Sequence, residues 1–301
     1  MRSAFAISML VRVACCAGAD DSSVLELNKR SEDDYRFVVS ETGRDLAVTA
    51  PNACQGNVNI ISPNGEHCGV TWPHFLMMSE GKWLTDKVES EGLKLLTFEV
   101  LNESGPVIGY RGEWKFRDYF VSSETHFAWY EPTSTTQVHF VRTELEIIED
   151  LEDITTTWVE FMTRENSYTT VAAKTKDGDV TTMDISKTGR KRNMHYWDGE
   201  ELADDGWVTI YGARHGQDSC VALVPLKHSP DPIRPRINNG HVDNIEIHML
   251  DARKRNALKK GEKFFLEYLL IAGPDKSDWK WIDPAVERAR AFMRRSQNLL
   301  R

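Results

Sequence analysis

The sequence of 301 residues lacks the short motifs that mark several common enzyme classes. It has no GxSxG nucleophile motif and no glycine loop that would cradle a phosphate, which weighs against serine hydrolases and nucleotide-dependent enzymes. The formal net charge of -9 weighs against a general nucleic-acid binder, because such a protein needs a basic surface. A local basic pocket is compatible with this charge, so an anionic substrate is not excluded.

Metal-binding patterns are equally scarce. There is no CxxC pair and no spacing of a standard zinc site. His241, Asp243 and His248 are potential ligands near the end of the chain, but their spacing matches no standard site. We therefore predict no metal site and no cofactor.

Long apolar runs are missing from the rest of the chain after the first residues. No stretch there approaches the roughly 18 apolar residues of a membrane span. Residues 1–19 begin with Arg2, continue with a mostly apolar run at 4–13, and end in a small-residue segment at 17–19 that resembles a cleavage site. We interpret residues 1–19 as a signal peptide, although Arg12 interrupts the apolar run. We therefore expect a secreted or periplasmic protein without a membrane span.

Few cysteines are present, and two of them fall within this leader. A lipid-attachment role for Cys15 or Cys16 is the weaker interpretation, because the preceding residues match such a site poorly. Cys54 and Cys68 are close enough in sequence to pair across a loop in an oxidising compartment. Unpaired thiols at these two positions and at Cys220 are an equally open alternative.

The sequence is rich in aromatic residues and in segments where apolar and polar residues alternate. Hydrophobic residues make up 41% of the chain, with 12 Phe, 9 Trp and 8 Tyr, which is enough for a substantial core. Alternation of apolar and polar residues predicts half-buried strands. These strands are predicted at 35–40, 92–101, 135–149, 154–164, 207–214, 220–226, 242–250 and 263–271, with a hairpin turn at 176–179.

Helical signal is confined to the end of the chain. Asp283 and Pro284 read as the N-cap and first residue of a basic, amphipathic helix at 285–300. We therefore predict an all-β fold, a large antiparallel β-sandwich with a short C-terminal helix. The predicted organisation is a leader at 1–19, a sandwich domain at 20–281, and a helix at 282–301 packed on the sandwich.

The layout between about residues 110 and 273 resembles the galactose mutarotase-like supersandwich. The resemblance is carried by two strands read as a pair, 138–145 and 157–161, then by 207–212, a proline-rich loop at 225–235 and a last strand at 264–270. The resemblance implies a broad concave sheet face that holds a saccharide, without implying one chemistry. The catalytic histidine motif of the epimerases in this group is not recognisable here.

Alternation also groups the polar residues by face. Glu124, His126 and Tyr130 share one face of their strand. Similar groups on other strands are Arg142 with Glu144 and Glu146, Glu160 with Arg164, and Asn244 with Glu246 and His248. If these strands are neighbours, the groups merge into a sugar-binding surface. A solvated outer sheet face gives the same pattern and is the alternative.

Further candidates lie in aromatic or glycine-containing segments. Trp72 and His74, and likewise His195 and Trp197, lie in segments suited to stacking on a sugar ring. His215 follows Arg214 at a strand end, a favoured place for active groups. The predicted catalytic residues are His126, Tyr130, Arg142, Tyr211 and His215. The predicted substrate-binding residues are Trp72, His74, Glu144, His195, Trp197, Arg214, Glu246 and His248.

Three functions are compatible with these residues. The leading hypothesis is a polysaccharide lyase acting on a uronate-containing polysaccharide or oligosaccharide. Arg142 or Arg214 would neutralise the carboxylate, while histidine and tyrosine would move the protons. The second is a glycoside hydrolase or sugar epimerase, with Glu144 and either Glu246 or Glu160 as its carboxylates. The third is a glycan-binding envelope protein without catalysis.

Overall fold

The computed structural model describes most of the chain, with gaps. The described residues are 23–52, 57–61, 67–79, 82–84, 93–162, 168–185, 197–198, 202, 205–212, 220–228, 234–238, 244–248, 255–273 and 278–296. The predicted leader and Cys54 lie outside these residues, so export and the pairing of Cys54 with Cys68 stay predictions.

The described part of the chain consists of antiparallel strands followed by a single helix, which confirms the predicted all-β fold. The first strands are β1 (Leu25–Ser31), β2 (Asp34–Val39), β3 (Arg44–Thr49), β4 (Val58–Ile61), β5 (His67–Ser79), β6 (Lys82–Trp83), β7 (Leu93–Asn102), β8 (Ser104–Gly105), β9 (Ile108–Phe116) and β10 (Phe120–Glu131). The remaining elements are β11 (Thr136–Ile147), β12 (Ile154–Met162), β13 (Thr170–Lys174), β14 (Val180–Asp184), β15 (Trp197–Asp198), β16 (Val208–Tyr211), β17 (Cys220–His228), β18 (Arg234–Asn238), β19 (Asn244–His248), β20 (Lys263–Gly273) and α1 (Ile282–Arg295).

The strands form two large sheets. Sheet A has the order β15-β18-β19-β12-β5-β4-β3-β2-β1-β8, with β6 paired to β5. Sheet B has the order β14-β13-β16-β17-β20-β11-β10-β9-β7. All of the pairings between described strands are antiparallel, as the short turns and period-two patterns predict.

One apolar layer lies between the two sheets. From sheet A it takes the alternate residues of β2, Tyr35, Phe37 and Val39. From sheet B it takes residues such as Val141 of β11 and Leu270 of β20. Alternation therefore produces the sandwich directly, since one face of each strand is removed from water.

A second apolar layer covers the opposite face of sheet B. Helix α1 contributes Val286 and Phe292, and the sheet contributes residues that include Trp129 and Leu269. The Phe292 and Trp129 rings stack with centroids 4.9 Å apart. Sheet B is consequently buried on both faces over the area that α1 covers.

The start of α1 differs from the prediction. The helix begins at Ile282, and its N-cap is Trp281, which makes no side-chain capping hydrogen bond. Asp283 lies in the first turn, where its Oδ1 accepts hydrogen bonds from Trp207 Nε1 at 2.9 Å and from Lys174 Nζ at 3.2 Å. Asp283 is thus not the cap, because its carboxylate joins the helix to sheet B and still complements the helix dipole.

A second correction concerns the segments 138–145 and 157–161, which we read as paired strands. They lie in β11 and β12, which belong to different sheets. The structure pairs β11 with β10 and β20, and pairs β12 with β5 and β19. The acidic turn between β11 and β12 therefore crosses from one sheet to the other, which alternation within each strand cannot reveal.

Substituting Phe292→Ala tests the role of α1. Phe292 is buried against Trp129, so we expect the free energy of unfolding to fall by about 3 kcal/mol, typical of a buried Phe→Ala change. Urea unfolding of the full chain measures this change. Arg294→Ala, an exposed site on the same helix, is the matched control and is expected to change little. Equal losses for the two variants would contradict the packing role.

Candidate functional site

The polar face of β10 lies in the core, not at the surface. Glu124 and His126 have exposed fractions of 1% and 0%, and Tyr130 is also buried. Tyr130 packs beneath the guanidinium of Arg44, whose carbon lies 4.6 Å from the ring centroid. The grouping of these three residues on one face is correct, but that face points toward sheet A.

Four side chains form a hydrogen-bonded chain in this layer, here called the interior network: Tyr110, Glu124, His126 and His139. The Tyr110 hydroxyl donates to Glu124 Oε1 at 2.8 Å. His126 Nδ1 lies 3.2 Å from the same oxygen, and His126 Nε2 lies 3.0 Å from His139 Nδ1. The Phe37 ring of sheet A packs against both imidazoles.

The electrostatics of the interior network follow from its burial. Loss of hydration raises the pKa of Glu124 to about 8, partly offset by the hydrogen bond from Tyr110. The same loss lowers the pKa of His126 to about 3, and burial together with His126 lowers the pKa of His139 well below its usual value. At neutral pH the contact of Glu124 with His126 is therefore a hydrogen bond between neutral groups, not an ion pair.

Local sequence makes room for this arrangement. Gly112 lies directly opposite Glu124 in the ladder between β9 and β10. The Trp114 ring covers Gly112 so closely that an added Cβ would lie 2.1 Å from the indole. Trp114 Nε1 in turn donates to the carbonyl of Pro51 at 2.8 Å.

Arg142 and Glu144 lie on the other face of sheet B. Arg142 donates to Glu144 Oε1 at 2.6 Å and to Glu267 Oε1 at 2.9 Å, and it lies over the Phe265 ring. The hydrogen bond to Glu144 is the main reason that the pKa of Arg142 is raised. Because both groups are well exposed, this surface cluster contributes little stability.

The predicted merging of these polar faces is therefore wrong. In the ladder of β10 and β11, His126 is opposite Val141, and Thr125 is opposite Arg142. Directly opposed residues share a face, so the sheet itself separates His126 from Arg142. The residue types and faces were read correctly, but alternation does not show which face meets water.

Tyr211 is also on the outer face of sheet B, where it packs near the layer beneath α1. Burial and the nearby Asp278 raise its pKa. The preceding residue, Ile210, is in the same row as Gln137, which lies three strands away on β11. Arg142 is five residues further along β11 than Gln137. Tyr211 and Arg142 are therefore not brought together.

The remaining substrate-binding candidates that the structure describes lie on strands of sheet A. Successive pairings place Trp72, Glu160, Glu246, Arg236 and Asp198 in one row across β5, β12, β19, β18 and β15. Each strand alternates between two faces, and the flanking Ile245 and Ile247 lie in the core between the sheets. The row is therefore on the outer face of sheet A, and we call it the outer row.

Glu246 has an unusual environment for an outer position. Its exposed fraction is 3%, although its strand neighbours occupy the core on the other side. A carboxylate removed from water in this way requires polar partners. Its direct neighbours in the ladder are Glu160 and Arg236.

Two further candidates lie close to the outer row. His248 is opposite Trp158 and Arg234, two residues along β19 from Glu246 and on the same face. Along the ladder of β5 and β12, the paired residues advance by four on β5, from Leu76 to Trp72, but by only two on β12. The extra residues of β5 form a bulge that contains His74. Bulges are frequent beside functional sites, where they redirect a strand. Trp197 is opposite Ile237, in the row of Ile245, and so lies on the core side of sheet A.

The candidates His195, Arg214 and His215 lie outside the described residues. Among the residues that are described, no group of three or more His, Cys, Asp or Glu side chains is arranged to hold a metal ion. In that same part of the chain, no helix is long and apolar enough to cross a membrane.

Sequence reasoning missed Tyr110 and His139 of the interior network and the position of Glu160 in the outer row. A usable signal existed for the first two. The strand of His126 carries Phe127 and Trp129 on its other face, and both are buried. Apolar residues on both sides of a strand indicate burial on both faces, so polar residues there should be expected to bond to one another.

Comparison with known proteins gives matches of structure alone. No family model matches the sequence, and no curated protein sequence matches it. Similar solved structures include the GH36 alpha-galactosidase AgaB from Geobacillus stearothermophilus, with a TM-score of 0.43 and 8% identity over 68% of this chain and 30% of that one. The quadruple mutant of the alpha-N-acetylgalactosaminidase NagBb from Bifidobacterium bifidum has a TM-score of 0.39 and 11% identity over 91% and 38%.

An aldose epimerase homologue from C. elegans is also similar, with a TM-score of 0.32 and 8% identity over 84% of this chain and all of that one. The predicted resemblance to the galactose mutarotase-like group is thus confirmed as a resemblance of fold. These neighbours are carbohydrate-active proteins by name. This chain spans only about a third of the galactosidase, and the low scores carry no conclusion about its activity.

Burial of the two network histidines can be tested by chemical modification. We expect diethyl pyrocarbonate to leave His126 and His139 unmodified in the native chain, because both side chains have no exposed surface. Mass spectrometry of the digested protein measures modification at each site. The same chain unfolded in urea serves as the control and should react at both. Rapid native modification of His126 would restore it as a solvent-accessible catalytic candidate.

Proposed function

We propose that this chain is a glycoside hydrolase whose active site is the outer face of sheet A, with Glu160 and Glu246 as its two carboxyl groups. The observation that carries the proposal is their direct opposition in the ladder of β12 and β19. Directly opposed residues have Cβ atoms about 4.5–5.5 Å apart, so two opposed glutamates start close enough to act on one sugar, as glycosidases require.

The burial of Glu246 supports this assignment. A carboxyl group sheltered from water on a face that does not belong to the core needs a reason to be there. In glycoside hydrolysis one carboxyl protonates the leaving oxygen while the other attacks or stabilises the sugar. Glu246, sheltered and flanked by Glu160, is suited to one of these two roles.

The rest of the outer row supplies groups that a sugar requires. Trp72, beside Glu160 in the row, is our candidate for stacking on the sugar ring. Arg236 and Asp198, at the other end, are candidates for bidentate hydrogen bonds to hydroxyl groups. His74 in the bulge and His248 beside Glu246 are candidates for binding the neighbouring sugar unit.

The lyase hypothesis receives less support from the geometry. Its acid–base and neutralising groups included His126, Tyr130 and Arg142. The first two are buried between the sheets, and the third lies on the opposite face of sheet B. These residues cannot reach one substrate together, whereas Glu160 and Glu246 are direct partners in the ladder of sheet A.

Substitution of the carboxyl pair tests the proposal. We expect Glu160→Gln and Glu246→Gln each to lower kcat on a cleavable oligosaccharide by about 10²–10⁴-fold, the usual contribution of a positioned acid or base. Glu144→Gln is the matched control, because it removes a carboxylate from the outer face of sheet B. Reducing-end release from a panel of α- and β-linked oligosaccharides measures activity.

The products distinguish the alternatives. Retention of the anomeric configuration, measured by NMR immediately after cleavage, is expected of two carboxyl groups on directly opposed residues. An unsaturated uronate product would overturn the proposal in favour of a lyase. Saturable binding of a glycan without turnover would contradict the proposed enzyme activity and favour a glycan-binding protein. Equal loss of activity in Glu144→Gln would show that the site is elsewhere.

A further inference from the structure

Strand β7 forms one edge of sheet B. It pairs with β9 on one side, and no described strand pairs with its other side. With 10 residues it is long for a strand in this position. The backbone N–H and C=O groups along an open edge can pair with a further strand, so proteins usually shorten or cover their edges. The long edge of β7 therefore requires an explanation.

The side chains of β7 are arranged symmetrically about a bulge. The ladder with β9 skips Leu96, so Leu95 and Phe98 both pack against the core although they are three positions apart. Lys94 and Glu99 flank these two residues, and both are exposed. Leu96 is 38% exposed, which is unusual for a large hydrophobic residue among those that the structure describes. From the centre outward, each half of the strand thus has one core-facing residue and then one charged residue.

The charged residues of β7 meet different neighbours on β9. Lys94 is directly opposite Lys115, whose Nζ also donates to Asp118 Oδ1 at 2.7 Å. Glu99 is directly opposite Arg111. Like charges that are directly opposite each other destabilise a strand pair, whereas opposite charges stabilise it. A carboxylate supplied from the open side of β7 would therefore offset the repulsion between Lys94 and Lys115.

We propose that two copies of this chain associate through β7, which joins their B sheets into one continuous antiparallel sheet. A two-fold axis between Leu96 and Thr97 places Lys94 of each copy opposite Glu99 of the other. The same axis places Leu95 opposite Phe98, so core-facing residues meet core-facing residues. The two backbones supply the hydrogen bonds of the new ladder, and two pairs of opposite charges flank its centre. This inference does not rest on the proposed glycosidase activity.

The order of residues on β7 favours a second copy over an unrelated strand. A charged residue normally protects an edge, because a foreign strand that pairs there leaves the charge unmatched. A second copy supplies both matching charges by symmetry. Shifting the alignment by two positions would place Lys94 opposite Thr97 or Leu101, and both charge pairs would be lost. The sequence of β7 therefore matches itself in one alignment and penalises the neighbouring ones.

Charge reversal tests the proposed alignment. We expect a monomer–dimer equilibrium for the full chain, measured by sedimentation equilibrium. Glu99→Lys and Lys94→Glu should each raise the dissociation constant of the dimer by about tenfold, because each replaces two opposite-charge contacts with two like-charge contacts. The double variant Lys94→Glu/Glu99→Lys exchanges the signs and restores both contacts, so its dissociation constant should return to within about threefold of the unaltered value.

The control is Glu287→Lys, an exposed site on α1 that changes the net charge by the same amount as Glu99→Lys. We expect it to leave the dissociation constant unchanged. A double variant as weak as either single variant would refute the alignment. A chain that stays monomeric up to about 1 mM would overturn the proposal altogether.

Hydrogen exchange locates the interface without any substitution. We expect amides within residues 94–99 to exchange more slowly above the dissociation constant than below it, because those that point away from β9 become hydrogen-bonded to the second copy. Strand β14, at the other edge of sheet B, is the internal control and should exchange at the same rate at both concentrations. Slower exchange at another surface, with β7 unchanged, would assign the dimer to that surface and contradict the proposal.

Discussion

The coverage of sheet B on both faces is the constraint on which most of the structure depends. One face packs against sheet A, and the other packs beneath α1. On the face toward sheet A, polar residues of β10 have no water to turn to. Polar side chains on β10 must therefore be neutral and bonded to one another, which is the state of Glu124 and His126.

The outer face of sheet A carries charged residues at neighbouring positions. The outer row contains three acidic residues and one arginine on neighbouring strands, and its central residue, Glu246, is nonetheless removed from water. A buried carboxyl group on a non-core face requires polar partners. Among the described residues, one set of polar groups thus lies inside, around Glu124, and another lies on the outer faces of the two sheets.

Much of the fold could be predicted from alternation, since period two determines both the strands and the sharing of faces. The groups around His126 and around Arg142 were assigned correctly within each strand. Their relative placement could not be predicted, because a polar strand face bonded internally and one bonded to water have the same sequence pattern. The direct pairing of Glu160 with Glu246 could not be predicted either, since it depends on pairing between strands far apart in sequence.

The interior network also bears on how the strands of sheet B find their register. A slip of β10 by two residues would keep every apolar side chain on its original face, so hydrophobic burial alone discriminates weakly against it. A slip that moves His126 away from His139 would also move Glu124 away from Tyr110, because both pairs now meet diagonally across adjacent strands. Buried polar groups would then lose their partners, at a cost of about 1–3 kcal/mol for each unsatisfied group. Buried polar residues serve register in other proteins, where directional bonds distinguish alignments that apolar contacts leave nearly equal. In this chain the bonds of the interior network therefore disfavour slips of β10 in that direction.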